Sequence, residues 1–157
     1  MTRARPNKLL TIRPGHRETL PSFFARFAAK KGVAASDFAY DMGISFKRVV
    51  NQETAAISTL ADFARLSGDE VADLLSWIGV RAGNVRMEYR GDTVVSRAAR
   101  HPTMRGCPLC LRENAKADPA DPVSCMVMRG DWQFRSVSIC LRHARAVIPP
   151  DLKGMRK

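Results

Sequence analysis

Four residues constrain this chain more than any others: Cys107 and Cys110, with two residues between them, and Cys140 and His143, again with two between. Twenty-nine residues separate the two pairs. A close pair of this kind comes from one tight turn, which aims two side chains at a common point. Two such turns predict a closed tetrahedral site of three sulfurs and one nitrogen, the donor set typical of one structural zinc ion. A redox dithiol would use Cys107 and Cys110 but leave the second pair without a role. No thioredoxin-like βαβ pattern surrounds them. Pro108 fits either reading. Cys125 is expected as a small buried hydrophobe within a strand, and His16 and His101 as surface or hydrogen-bonded groups outside the site.

A site with four protein ligands has no open position for water or substrate, which excludes zinc hydrolase chemistry there. The sequence holds no HExxH, no glycine-rich phosphate loop and no GxSxG. With three histidines in all, it also lacks the extra histidines of an HNH-type nuclease. The chain is therefore expected not to be an enzyme. No apolar run approaches the roughly 20 residues of a membrane span, and the basic N-terminus has no secretory h-region. A cytoplasmic, nucleoid-associated protein with reduced thiols is the expectation.

The net charge of +11 is unevenly distributed. Residues 1–31 carry +7, residues 32–80 carry −4 and residues 81–157 carry +8. Basic flanks around an acidic middle favour a polyanionic partner, and nucleic acid is the commonest for a cytosolic protein. Phosphate contacts are expected from an N-terminal arm (Arg3, Arg5, Lys8, Arg13) and from arginines around the metal pairs (Arg105, Arg112, Arg142, Arg145).

Hydrophobic periodicity divides the chain. Residues 1–14, with Pro6 and Pro14, read as an extended basic arm. In residues 15–83 the period is helical. Leu20, Phe23, Phe24, Phe27 and Ala28 form one apolar face, with Pro21 in the first turn and Gly32 as the stop. A shorter helix is predicted from a Ser36 cap to Gly43, and another turn or two at SFKRVVNQ. Two more helices should meet at Gly68, the first burying Ile57, Leu60, Ala61, Ala64 and Phe63. The second, capped by Asp69, should bury Val71, Leu74, Leu75 and Ile78. This pair reads as an αα-hairpin or as a helix-turn-helix. The acidic start of the second helix (Asp69, Glu70, Asp73) favours the former, because it would meet phosphates badly. Residues 84–148 change to period two, predicting one hairpin at VRMEY-RGD-TVVS and a second from VSCMVMR through GD to WQFRSVSIC. Residues 149–157 form a basic tail. The expected fold is mainly α: a helical N-terminal domain and a small β-hairpin-containing module of zinc-ribbon or treble-clef type.

These residues carry a resemblance. CPLCL, then Trp132 on the segment before CLRH, is similar to the zinc-finger signature of the TniQ proteins of Tn7-like transposons. ETLPSFFARFAAKKG resembles that family's opening helix, and TLADFARLSGDEVADLLSWI its Leu-rich Gly-containing segment; together they span about residues 14–148. The resemblance implies a target-site factor that binds DNA, or a DNA-bound guide-RNA complex, and recruits the transposition ATPase, without being the recombinase. It places the ligands at Cys107, Cys110, Cys140 and His143, with Trp132 packed beside the metal. Family members continue well past the CxxH pair, whereas this sequence runs fourteen residues beyond His143. A short, adaptor-like member is the expectation, with a homodimer as one open assembly state. Two other functions fit the same residues: a zinc-containing transcriptional regulator using residues 58–79 as its helix-turn-helix, and a protein-only adaptor to a nucleoprotein complex.

Overall fold

The computed structural model describes residues 11–149. Arg3, Arg5 and Lys8 of the expected arm, and residues 150–157 of the expected tail, lie outside them. Five helices come first: α1 (Leu20–Lys30), α2 (Ala35–Asp41), α3 (Phe46–Val50), α4 (Thr54–Ala64) and α5 (Gly68–Ser76). A three-stranded antiparallel sheet follows, of β1 (Val80–Arg81), β2 (Arg86–Tyr89) and β3 (Asp92–Val95), in the order β1-β2-β3. Then come α6 (Ser96–Ala99), α7 (Pro108–Ala115) and two single 3-10 turns at Val123–Cys125 and Asp131–Gln133. The two-stranded pair β4 (Ile139–Cys140) and β5 (Arg145–Ala146) ends the series. No helix among the described residues is long and apolar enough to cross a membrane.

Helix α1 forms as its periodicity predicts. Thr19 caps it by accepting from the Ser22 amide, Pro21 sits in the first turn, and all five expected apolar residues are buried. Gly32, at φ +78, turns the chain out. The α1 face builds the larger core: the Phe24 ring lies 5.6 Å from Phe38 and 5.5 Å from Phe46, while Leu60 and Leu74 close it from α4 and α5.

Three local expectations need correction. Helix α2 starts one residue before Ser36, with Ala34 at the cap position, so Ser36 lies inside the first turn. The joint between α4 and α5 is Arg65 (φ 53), Leu66 and Ser67. Ser67, not Asp69, caps α5, because Glu70 three residues on returns a bond to the Ser67 amide and completes a capping box. Phe63 points outward and is 59% exposed.

The first hairpin forms as expected. Tyr89 pairs with Asp92 across a two-residue Arg90–Gly91 turn, both at positive φ, and β1 adds an edge strand. The second hairpin does not form. Residues 123–138 hold the two 3-10 turns and otherwise pair with distant backbone. Met128 O accepts from Thr19 N, Gly130 N donates to Arg17 O, His101 N donates to Gln133 O, and Arg135 N donates to Ala99 O. The period-two pattern is real, but its hydrogen bonds are made at long range rather than across a local turn. Cys125 accordingly sits half-buried in a 3-10 turn, not in a strand.

The segment's place against α1 is held by a buried polar network. Glu18 is fully buried. Its carboxylate accepts from the Gly15 amide (2.8 Å), the Ser22 hydroxyl (2.7 Å) and Arg26 Nη1 (2.6 Å). Arg26 Nε in turn donates to Ser124 O, and the Met128 amide donates to Ser22 Oγ. A second tie is Asp131, which accepts from Arg17 and Arg129. Burial pushes its carboxyl upward, but the two guanidiniums outweigh that and hold it below its ordinary value. Gly130 is required here, because a Cβ would collide with the Trp77 carbonyl.

Candidate metal centre

The two cysteine-containing turns reach one point by different local structures. Cys107 is the cap residue of α7 and Pro108 its first helical residue, so Cys107 and Cys110 project from the helix N-terminus. Unpaired amides and the helix dipole favour thiolates there. The other pair lies on the β4–β5 hairpin, where Cys140 pairs with Arg145 and Ala144 (φ 49) helps close the intervening turn around His143. One helix start and one β-turn therefore supply the site, rather than the two hairpins of a ribbon.

The four donor atoms lie within 4.8 Å of one another. Cys110 Sγ is 3.7 Å from Cys140 Sγ, and His143 Nδ1 is 3.3 Å from Cys110 Sγ, 3.6 Å from Cys107 Sγ and 3.8 Å from Cys140 Sγ. Sulfurs bound to one zinc ion at about 2.3 Å form tetrahedral edges of about 3.8 Å. The cluster thus has the size of a single tetrahedral coordination sphere, and all four expected ligands are in it. Among the described residues Cys125, His16 and His101 are outside it; His101 Nδ1 bonds to the Thr103 backbone instead.

Electrostatics explains why the cluster suits a cation. Burial among its neighbours pushes the Cys110 thiol up to about 12. Burial also acts upward on Cys140, but bonds from the His143 and Arg142 backbone and the His143 ring bring it down to about 6. Three thiols in one small space cannot all ionise without a positive charge between them. A metal ion supplies that charge, and the three thiolates and one imidazole then fill its coordination sphere.

Around the ligands lies a second layer that the spacing pattern did not reveal. His143 Nε2 meets Glu113 Oε1 at 2.8 Å, leaving Nδ1 directed at the sulfurs. The His143 bond, with help from Arg142, lowers the Glu113 carboxyl, and Glu113 raises the basicity of the ring in return. Metal-bound imidazoles are commonly fixed in this way. Glu113 falls three residues after Cys110, on the same face of α7, and that i,i+3 relation was its only signal. Trp132, 1% exposed, packs in the same buried cluster as Cys107, Cys110, Cys140, Leu111 and Val147.

The expected phosphate contacts separate into distinct environments. Arg105, expected at the surface, is buried, and its Nη2 donates to the carbonyls of Trp132, Phe134 and Val137, so it clamps the loop that carries Trp132. Arg13 pairs with Glu70 and Arg142 with Glu113, both at the surface. Arg112 and Arg145 are exposed and form no ion pair among the described residues.

No curated protein matches the chain at a significant level. The TniQ family model matches residues 9–147, which covers most of the sequence and includes α1 to α5 as well as all four members of the Cys/His cluster. The chain belongs to the TniQ family.

Proposed function

We propose that the protein is a non-catalytic adaptor of Tn7-like transposition that holds one structural zinc ion, binds target DNA and recruits the transposition ATPase. The observation that carries this reading is the family match over residues 9–147 with a closed Cys3His cluster inside it. Cys107, Cys110, Cys140 and His143 would hold the zinc, which serves as a folding staple because no coordination position is left for substrate. The chain's own residues do the rest. Glu113 orients His143, Arg105 clamps the Trp132 loop, and Trp132 seals the apolar side of the metal. Arg112, Arg142, Arg145 and the arm residues Arg3, Arg5, Lys8 and Arg13 are the candidates for phosphate contact. The α4–α5 hairpin, acidic at Asp69 and Asp73, is left for a protein partner.

The test is reconstitution of the purified chain with duplex DNA and the AAA-type ATPase of an adjacent transposon. The expected result is a DNA complex whose affinity falls steeply with salt and which retains the ATPase. Failure to bind either component would overturn the reading.

A further inference from the structure

We infer that an arginine-lined groove, which contains none of the four Cys/His cluster residues, is a binding site for the phosphodiester backbone of duplex DNA. The inference rests on the proposed function for the identity of the polyanion, and goes beyond it in placing the contact. The groove has a volume of about 820 Å³ and is lined by the end of α3, the turn into β1, the inner face of β2, α6 and Arg135. Arg81, Arg97, Arg100 and Arg135 all face it, with His101 at one end and Asn51 on the α3 side, and no carboxylate lines it.

On the sheet side Val80, Arg81 and Met87 line the groove, while Glu88, the cross-strand partner of Val80, does not. Six arginines elsewhere on the molecule carry carboxylate partners: Arg13 with Glu70, Arg17 and Arg129 with Asp131, Arg26 with Glu18, Arg48 with Glu53, Arg142 with Glu113. None of the four groove arginines forms an ion pair among the described residues. Their protein partners are backbone carbonyls only: Arg100 Nη2 donates to Ile78 O, and Arg135 Nε donates to Arg100 O (3.0 Å). These bonds fix the two guanidiniums without neutralising them. Burial lowers the Arg100 pKa, with no carboxylate beside it to offset the cost. Four arginines lining one groove, two of them held by backbone carbonyls, suit phosphate groups, to which arginine donates in bidentate fashion.

The experiment is fluorescence anisotropy with a short duplex oligonucleotide across a salt series, using the full chain. The variant is Arg81→Gln/Arg97→Gln, both exposed and free of ion pairs. The charge-matched control is Arg65→Gln/Arg86→Gln, exposed residues outside the groove. The groove variant should bind at least tenfold more weakly and lose about 1.8 from the log–log salt slope, about 0.9 per lost phosphate contact. The control should stay within about threefold of wild type, and Arg81→Lys/Arg97→Lys should recover most of the slope because lysine keeps the charge. Unchanged metal content and circular dichroism verify that each variant is folded; should the double Gln variant misfold, the single variants Arg81→Gln and Arg97→Gln report the site, each losing about 0.9 from the slope. If wild type binds and the groove variant matches its control, the groove assignment is wrong while the proposed function stands on the other arginines. If wild type does not bind duplex DNA at all, both fall. If polyglutamate is bound through the groove and DNA is not, the site is an acidic-protein site and the inference is overturned.

Discussion

The two cores of this molecule are built from different materials. The helical core is carried by large apolar side chains: Leu20, Phe23, Phe24, Phe27, Phe38, Leu60 and Leu74. The smaller one consists of Cys107, Cys110, Cys140, Leu111, Val147 and Trp132. Half of those six are thiols, so under the proposed function most of its cohesion would come from a bound metal ion rather than from apolar area. The polar network of Glu18, Ser22 and Arg26 joins the two. On the proposed reading, a helical core held by packing stands beside a smaller core held by coordination.

The sharpest way to break this contrast is to remove the metal. Structural zinc sites contribute about 10–16 kcal/mol in apparent binding free energy, comparable with the whole stability of an ordinary domain. Chelation, or Cys140→Ser, should abolish the Trp132 near-ultraviolet signal in a Trp77→Phe background while most far-ultraviolet helix signal remains. Simultaneous loss of both signals would show the two cores to be one cooperative unit. The reciprocal change, Phe24→Ala, should cost about 4 kcal/mol in denaturant unfolding and leave metal stoichiometry at one per chain. Glu18→Ala acts on the junction. It strands Arg26 next to a vacated buried site, so a loss of about 3 kcal/mol is expected, with hydrogen exchange faster at Met128. The smallest effect is expected from Asp131→Asn, which weakens the bonds from Arg17 and Arg129 and should lower stability at neutral pH by about 1–2 kcal/mol. A null result at both Glu18 and Asp131 would mean that the seam is held by its apolar contacts instead.

The helices and the Cys/His cluster were legible in the sequence because both are written at short range. Phe23, Phe24 and Phe27 repeat at helical spacing, and each ligand pair sits within four residues. The caps were less so: Asp69 is a cap-forming residue type, but Ser67 takes the position because Glu70 reciprocates. What could not be read was anything settled by distant partners. Residues 123–138 alternate like a hairpin, yet their backbone bonds go to Arg17, Thr19, Ala99 and His101. Arg105 carries the charge of a surface residue, but three carbonyls from the Trp132–Val137 segment surround its guanidinium. Charge in a sequence reports composition, whereas its availability depends on which carboxylates and carbonyls folding brings alongside. For the same reason Arg81, Arg97, Arg100 and Arg135, 54 residues from first to last in the sequence, do not announce a common groove.

The C-terminal module is proposed to be built around a zinc ion bound by three sulfurs and one nitrogen. X-ray absorption at the zinc edge on the purified protein should find one zinc per chain with three sulfurs at about 2.3 Å and one nitrogen at about 2.0 Å, the nitrogen lost in His143→Ala. A folded protein without stoichiometric zinc, or a shell with fewer than three sulfurs, would contradict it.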